Sequence, residues 1–401
     1  MKSLPDTDLT NLNWIRLNIH ENIGAEIISM MKVLHILYSG LGGHGNVFFS
    51  MVDADKSGEI EYEALFFGIE DAREGYIRKA EARNIKWHAV KKKPGVDVKS
   101  FQEITSIILK SEPDIVFIHS SSYIFPVKNA VLRSKKKIRI VVRETQPNHL
   151  KTKQEWLGLS VALMVADKVV FLSKEYKAAI KKKLSVFFSE KRTAVIPNGI
   201  DLDIYKPAPQ QDGNFLSLGM QSRLSATKDH ATLIRAFKIC LGQQTSKPLR
   251  LVIAGDGECR PQLEELVTEL GISDNVIFKG MLEESELAGF INSLDIYIHA
   301  TLGETMSTAI MQVMACKLPI VASDVLGVNN MIQNNINGFL VPAKDERALA
   351  MAIMKFLSNE QEQKTLANAA YTFAKENYSN RLMLDRYRKI FFRNVTAGIG
   401  A

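Results

Sequence analysis

Short apolar segments of strand length alternate with stretches of helical periodicity along most of the chain. Between these segments, apolar residues recur every three or four positions, as they do on one face of an amphipathic helix. Strands that alternate with helices form parallel sheets covered on both faces, and such sheets bind ligands at the carboxyl ends of their strands. The pattern therefore predicts an α/β protein with strands at residues 31–38, 60–69, 114–119, 138–143, 168–173, 215–219, 251–254, 275–280, 295–300 and 320–322.

The strand pattern divides into two halves. The turn signal Pro197-Asn198-Gly199 closes the first half, and the polar, proline-rich residues 206–213 precede the strand that opens the second. A chain of 401 residues usually forms two or three domains. We predict an extension of undetermined order, a first domain, a second domain and a terminal helical segment at residues 1–30, 31–205, 206–380 and 381–401, respectively.

The segment after the strand at 295–300 places polar groups where a ligand at the sheet edge would meet them. Glu304 precedes a helical pattern, so we expect it at or just before a helix N-terminus, and Gln312 lies roughly 12 Å further along the axis. Free backbone N–H groups at a helix start bind phosphate readily, and those of Met306, Ser307 and Thr308 lie between the two side chains. An ordinary amphipathic helix with a polar cap is the alternative.

Further polar groups at strand ends extend this candidate site. Arg223 and Lys228 lie five residues apart in a strand-to-helix loop, where a planar guanidinium and an ammonium can converge on a diphosphate. Gly42 and Gly43 let a ligand approach the start of the helix after the first strand. His119 and Glu144 each end a strand; a structural histidine and an ion pair of Glu144 with Arg143 or Lys151 are the alternatives.

Taken together, these motifs resemble the retaining glycosyltransferases of family 4, over about residues 31–395. The family pattern is Glu, seven residues, Glu, a helix of small residues and a proline-hydrophobic strand, which Glu304, Gln312 and Pro319 follow with one departure. The resemblance implies the GT-B fold: two Rossmann-like domains, one for the acceptor and one for the nucleotide-sugar donor, face a deep cleft, and the last helix crosses back to the first domain.

The resemblance also implies an activity and residue roles. The expected enzyme moves a hexosyl group from a nucleotide-sugar, UDP-sugar being the expected donor, to a glycan or lipid-linked acceptor in surface polysaccharide or glycoconjugate biosynthesis. It retains the anomeric configuration and uses no metal or other cofactor. Glu304 would position the donor sugar and His119 would contact it, while Arg223 and Lys228 would stabilise the departing diphosphate. The implied donor-binding residues are Gly42, Gly43, Gly255, Lys279, Met306, Ser307, Thr308 and Gln312, and the implied acceptor-binding residues are His44 and Glu144.

Gln312 is the departure that keeps other functions open. A glutamine can donate and accept hydrogen bonds at a ribose diol, but it lacks the charge of the family glutamate. A nucleotide-sugar epimerase of the same fold is one alternative, and a non-catalytic nucleotide-sugar-binding partner protein is another.

The formal net charge of +7 belongs entirely to the first half of the chain. Residues 1–205 hold 31 Lys and Arg against 24 Asp and Glu, whereas the remainder holds 20 of each. Basic clusters at 91–93, 135–139 and 181–183, the last followed by aromatic residues, favour an anionic membrane surface as a partner. No recognition motif for nucleic acid accompanies this charge.

With neither a secretory segment nor an apolar run of membrane-spanning length, we expect a cytoplasmic protein, peripheral at the inner face of the membrane.

Two other patterns are weaker. Residues 53–64 imitate a calcium-binding EF-hand loop, but Ala64 occupies the position that requires a bidentate glutamate, so we favour a helix-to-strand turn. Cys240, Cys259 and Cys316 are too few and too scattered for a disulfide framework or a metal site.

Overall fold

The computed structural model of the protein describes residues 30–40, 42–95, 97–209 and 213–392. The predicted extension, apart from Met30, and the end of the last segment lie outside these residues. Thirteen strands are present in the described ranges, and all of them pair in parallel. They are β1 (Met31–Tyr38), β2 (Ile60–Gly68), β3 (Lys86–Lys91), β4 (Ile115–Ile118), β5 (Arg139–Glu144), β6 (Lys168–Phe171), β7 (Thr193–Val195), β8 (Leu216–Gln221), β9 (Leu249–Ala254), β10 (Val276–Gly280), β11 (Ile296–His299), β12 (Ile320–Ser323) and β13 (Phe339–Val341).

The strands form two separate sheets. The first has the order β3-β2-β1-β4-β5-β6-β7 and the second the order β10-β9-β8-β11-β12-β13. In each sheet the strand order reverses beside the first strand, β1 or β8, and this switch point opens a crevice at the carboxyl ends of the strands. The prediction of an α/β fold with two parallel sheets is confirmed. Strands β3, β7 and β13 were not predicted, because β3 is rich in polar residues and the other two have three residues each.

α-Helices connect the strands and cover both faces of each sheet. Each sheet packs apolar side chains on both of its faces, as a doubly covered parallel sheet requires. In the described residues the helices are α1 (Gly43–Ala54), α2 (Glu74–Glu81), α3 (Val98–Ser111), α4 (Ile124–Arg133), α5 (Lys153–Val165), α6 (Lys174–Lys183), α7 (His230–Leu241), α8 (Arg260–Glu269), α9 (Glu284–Asn292), α10 (Thr308–Ala315), α11 (Glu346–Ser358), α12 (Glu360–Asn377) and α13 (Asn380–Phe391).

The last helix crosses back to the first domain, as expected. The crossing begins where Ile200 donates from its backbone N–H to Tyr378 O and accepts from Asn380 N, at 2.8 and 2.9 Å. Helix α13 then buries Met383 and Tyr387 in an apolar cluster that also contains residues of β1 and β4. The first domain therefore has a core completed by the C-terminal end of the described chain.

Residues 53–64 form the helix-to-strand turn that the sequence favoured. Helix α1 ends at Ala54 and β2 begins at Ile60. Arg83 binds both carboxylate oxygens of Asp53, at 2.6 and 2.8 Å, and Asp55 accepts from Tyr62. The loop oxygens are thus engaged by protein groups.

Candidate active site

The carboxyl ends of the two sheets face each other across a cleft that both domains line. A cavity of about 280 Å³ lies in it, between Asn46, Tyr76 and Lys79 of the first domain and residues that include Gln221 and Arg223 of the second. Thr305 closes one side of the cleft by donating to Thr145 O at 2.5 Å. A larger cavity of about 850 Å³ lies at the amino ends of strands in the second sheet, away from the residues that the sequence singled out.

Glu304 lies at the centre of a charged group in the second domain. Its Oε1 accepts from Lys228 Nζ and from His299 Nε2, the latter at 2.5 Å. Ser307 Oγ lies 3.2 Å from the same histidine nitrogen, and Tyr297 OH lies 3.4 Å from His299 Nδ1. The structure therefore joins the predicted residues Glu304 and Lys228 directly.

The charges of this group follow from its partners. Burial works to raise the pKa of the Glu304 carboxyl, but Lys228 and His299 outweigh burial and hold that pKa well below its usual range. Burial lowers the pKa of His299, an effect that Glu304 only partly offsets. Glu304 is therefore a carboxylate, and its second oxygen remains for a hydroxyl donor.

Glu304 lies just before a helix N-terminus, which is one of the two positions that the sequence predicted. Helix α10 begins at Thr308 with Ser307 as its N-cap, so Glu304 lies in a loop before the helix. Gly327 supports this loop: its φ is +87°, and a Cβ there would lie 2.2 Å from Glu304 O. In the described structure the backbone N–H groups of Met306, Ser307 and Thr308 donate no hydrogen bond to protein, so they are free to bind an anion.

Arg223 lies on the cavity wall rather than beside Lys228. Its side chain is 64% exposed and approaches Glu258 at 3.5 Å, which is a loose surface ion pair.

Gly255 faces the same cavity, in a turn that only glycine can form. Its φ is +133°, and a Cβ on this residue would lie 1.9 Å from Ser222 O. The Gly255 N–H donates to Gly280 O at 2.8 Å, beside the exposed Lys279. A ligand in this cavity would meet the backbone of the Gly255 turn.

Gln312 is buried in helix α10 and is paired with a residue that the sequence did not single out. Gln221 Nε2 donates to Gln312 Oε1 at 2.7 Å, and each residue is 7% exposed. Gln221 ends β8 and lines the cavity. The residue that replaces the family glutamate thus has its carbonyl oxygen occupied by protein.

His119, which the family resemblance would place beside the donor sugar, has both ring nitrogens within reach of buried protein groups. The residue is fully buried; its Nε2 lies 3.1 Å from His35 Nδ1 and its Nδ1 lies 3.3 Å from Arg143 Nη1. A guanidinium only donates, so Nδ1 accepts and Nε2 carries the proton that His35 accepts. Burial and the nearby Arg143 hold the pKa of His119 well below its usual value. Both ring nitrogens are therefore used by protein in this structure.

His44 and Glu144, the predicted acceptor contacts, have different surroundings. His44 is partly exposed, and its Nε2 lies 2.9 Å from Thr145 Oγ1. Burial and Arg143 lower the pKa of His44 to about 3, so the ring is neutral. Glu144 is buried, and its Oε1 lies 3.3 Å from Lys151 Nζ. The ion pair with Lys151, the alternative that the sequence left open, is the one that the structure contains.

Gly42 and Gly43 lie at the start of α1, on the first-domain side of the cleft. Gly42 is the N-cap residue, and its carbonyl accepts from Tyr76 OH at 2.7 Å. A Cβ at Gly43 would meet no atom of the described residues within 4 Å, so open space lies above the helix start. That space is available to a ligand.

Sequence reasoning missed several groups that build this site. His299 ends a buried strand, and its position immediately before the Glu304 loop is the signal that would have identified it. Gln221, Arg143 and Gly327 carry no comparable local signal, because their roles come from contacts with residues far away in the chain. In the described ranges, no group of three or more His, Cys, Asp or Glu is arranged to hold a metal ion, and no helix is long and apolar enough to cross a bilayer.

Two family models match adjoining parts of the chain. Glycosyltransferase Family 4 matches residues 43–204, and Glycosyl transferases group 1 matches residues 203–373. The chain therefore belongs to the family of glycosyltransferases that these two models describe together. The two matches meet between the sheets, where Val195 ends β7 and Leu216 begins β8.

Individual members of the family are distant relatives. The chain is 27% identical over 224 residues to alpha-monoglucosyldiacylglycerol synthase of Streptococcus pneumoniae, covering 53% of this chain and 48% of that one. It is 22% identical over 278 residues to an Escherichia coli UDP-Gal:alpha-D-GlcNAc-diphosphoundecaprenol alpha-1,3-galactosyltransferase, covering 65% and 70%. The chain spans about half the length of the first of these relatives.

Solved structures share the whole fold. The Anabaena protein HepE, crystallised with UDP and glucose, superposes with a TM-score of 0.75 at 21% identity, covering 90% of this chain and 99% of that one. The architecture is therefore the GT-B fold that the sequence predicted.

Proposed function

We propose that the protein is a retaining glycosyltransferase that transfers a hexosyl group from a UDP-sugar to a glycan or lipid-linked acceptor without a metal ion. The observation that carries this proposal is the ionised Glu304, held by Lys228 and His299 at the edge of the interdomain cleft. A buried carboxylate with one free oxygen suits a sugar hydroxyl, and the adjacent ammonium and N–H groups suit a diphosphate.

The proposed transfer step needs charge stabilisation more than a separate base. The bond between the anomeric carbon and the diphosphate oxygen breaks, and the acceptor oxygen forms its bond to the same face of that carbon. The acceptor proton passes to the departing phosphate oxygen, and the nucleoside diphosphate leaves. Lys228 and the N–H groups of residues 306–308 stabilise the negative charge that develops on the diphosphate. Electrostatic stabilisation of this kind is usually the largest contribution of an enzyme to lowering the activation barrier.

The donor assignment rests on the cavity and on the fold neighbours. The cavity adjoins the Gly255 turn and the Gln312 helix, and its residues come from both domains. HepE, which shares the fold, was crystallised with UDP. We therefore assign the nucleotide to this cavity and the sugar to the side of Glu304.

The proposed acceptor is borne by an anionic membrane in surface polysaccharide or glycoconjugate biosynthesis. The basic clusters do not form one surface: residues 91–93 begin at the last residue of β3, at one edge of the first sheet, and residues 181–183 end α6 near the other edge. The cluster at 181–183 adjoins exposed apolar and aromatic side chains. Val186 is 89% exposed, and Lys183 Nζ lies 3.7 Å from the Trp156 ring centre on α5.

Helix α5 supports a membrane contact independently of charge. It is apolar on most of its surface, yet Leu157 and Met164, two turns apart, are exposed. A helix that is apolar all round is normally covered by other groups. In the loop that leads into α5, Thr145 O accepts a hydrogen bond from Thr305 of the second domain, and the His149 ring lies so near Gly303 that a Cβ there would come within 3.0 Å of it. A lipid-linked acceptor held at α5 would thus lie beside the cleft.

Two assays test the enzymatic proposal. Thermal unfolding with UDP, GDP, ADP and their sugar conjugates should show stabilisation by UDP compounds, and no stabilisation by any nucleoside diphosphate would contradict a nucleotide-sugar site. Transfer is then followed by NMR with UDP-hexoses and a short-chain polyprenyl-diphosphate sugar. A product with the donor's anomeric configuration supports the proposal, an inverted product contradicts retention, and isomerised donor without transfer indicates an epimerase.

Vesicle flotation tests the membrane proposal. The protein should bind vesicles that contain phosphatidylglycerol more strongly than vesicles of phosphatidylcholine alone, and Leu157→Glu should reduce that binding. Leu326→Glu, at another exposed leucine in the second domain, is the matched control. Equal binding to both kinds of vesicle would contradict an anionic membrane surface.

A further inference from the structure

The pairing of Gln221 with Gln312 determines which hydrogen-bonding group of Gln312 is left free, one helical turn from Ala309 on the cavity wall. Gln312 Oε1 accepts from Gln221 Nε2 at 2.7 Å, so this oxygen is occupied. Gln312 Nε2 has no hydrogen-bond partner among the residues that the structure describes, and it is not one of the fully buried unpaired atoms. The free part of Gln312 is therefore an NH₂ group.

The orientation of the two amides has a physical basis. Gln221 Oε1 is fully buried and has no partner in the described part of the chain. Turning both amides would keep their mutual hydrogen bond but would bury an unpaired NH₂ group of Gln221 instead. Burying an unpaired N–H donor is the less favourable of the two arrangements, since such donors are rarer in native structures than undersatisfied carbonyl oxygens. The observed arrangement is the better of the two.

We propose that Gln221 is a positioning residue that fixes the Gln312 amide with its donor toward the nucleotide, so that the site binds a ribose hydroxyl oxygen as an acceptor. This inference rests on the proposed nucleotide-sugar function. A glutamate at residue 312 would present only acceptor oxygens and would require the ribose hydroxyl to donate. In this protein residue 312 would therefore donate the hydrogen bond and the ribose hydroxyl would accept it, which is the reverse of the arrangement with glutamate. Gln221, which orients the Gln312 amide, lies 91 positions away in the sequence.

Fluorinated nucleotides distinguish the two polarities. A fluorine at C2′ or C3′ cannot donate a hydrogen bond but can lie beside an N–H donor, whereas a carboxylate repels it. UDP and its 2′-fluoro and 3′-fluoro analogues are compared by calorimetric titration. We expect the wild-type protein to bind the analogue at the contacted position within about threefold of UDP, and Gln312→Glu to disfavour it by about 10-fold or more, as the loss of one hydrogen bond to a charged group implies.

Gln221→Glu is the decisive variant. A carboxylate at residue 221 only accepts, so it turns the Gln312 amide and directs Oε1 to the nucleotide. The variant should therefore disfavour the fluorinated analogue as Gln312→Glu does, although Gln312 itself is unchanged. Gln221→Met removes the partner and should leave intermediate discrimination. Gln361→Glu, on an exposed turn of α12, is the charge-matched control and should behave as wild type.

The possible outcomes separate this inference from the proposed function. If wild type binds UDP but disfavours both fluorinated analogues by 10-fold or more, or if folded Gln221→Glu discriminates as wild type does, the positioning role is refuted while a nucleotide site remains. Should no variant, including wild type, bind UDP, the proposed function itself fails. Thermal unfolding of each variant shows whether it is folded, and Gln221→Met supplies the comparison if Gln221→Glu is not.

Discussion

Lys228 donates a hydrogen bond to Glu304 Oε1, joining the loop after β8 to the loop after β11. The two side chains are only 19% and 13% exposed, so the pair is shielded from most of the solvent. Loss of one partner leaves the other as a poorly compensated charge, which is costly at such a site. The pair thus fixes the position of Glu304, the proposed sugar contact, relative to Lys228, the proposed diphosphate contact.

Glu304→Gln should lower kcat for transfer by about 100- to 1,000-fold, because it removes the charge that orients Lys228 and the sugar. Lys228→Met should have a similar effect on kcat and should also weaken UDP binding. Glu360→Gln breaks an exposed ion pair with Lys364 on α12 and serves as the control, with activity within twofold of wild type. Steady-state kinetics with the best donor measure all three variants, and full activity of Glu304→Gln would remove it from the proposed mechanism.

Transfer should be unaffected by metal removal. Lys228, Arg223 and the N–H groups of residues 306–308 can supply the positive charge that a divalent ion provides in other enzymes. The rate is measured after dialysis against EDTA and again after addition of Mg²⁺ or Mn²⁺. A rate that falls more than 10-fold and is restored by one of these ions would contradict metal independence.

Gly327→Ala should destabilise the protein by about 1–3 kcal/mol and reduce activity, because residue 327 has a positive φ and a Cβ there meets the Glu304 carbonyl oxygen. Gly289→Ala is the matched control. Gly289 lies within helix α9, and a Cβ there meets nothing within 4 Å, so alanine should stabilise the helix by about 0.5–1 kcal/mol. Urea unfolding measures both changes, and equal effects at the two glycines would refute the argument.

Glu63 should make stability depend on acid pH. Burial tends to raise its pKa, but Ser111, His88, Lys86 and Lys32 outweigh burial and lower the pKa to about 2. The folded-state pKa lies below the ordinary value of 4.5, so this group stabilises the fold above that pH and loses its contribution as pH falls from 4.5 toward 2.

Glu63→Gln isolates that contribution. The difference in unfolding free energy between wild type and Glu63→Gln should be largest near pH 7 and should shrink below pH 4.5, as measured by urea unfolding at several pH values. Glu61→Gln, at a half-exposed neighbour whose nearest cation is 3.6 Å away, should show little of this dependence. A constant difference for Glu63→Gln across the whole range would contradict the assigned pKa.

In the described ranges, the local sequence was sufficient for ten of the thirteen strands and for the motifs that follow them. Apolar runs such as that of β1 can be buried only between layers of helices, so the parallel sheets followed from the pattern. Glu304, Lys228 and Arg223 were found because polar groups at strand ends meet at one edge of a sheet. The helix begins at Thr308, so Glu304 lies just before its N-terminus, which is one of the two positions that the apolar periodicity allowed.

The sequence by itself determined the two-sheet architecture, the family and the residue types available in the cleft. Only the tertiary structure decided how those residues act: His119 turns to His35 and Arg143, Glu144 pairs with Lys151, and Gln312 is oriented by Gln221. The physical reason is that a hydrogen-bonding side chain has several possible partners within reach, and burial removes water as the alternative. Which partner remains depends on residues that are distant in the chain and adjacent only after folding.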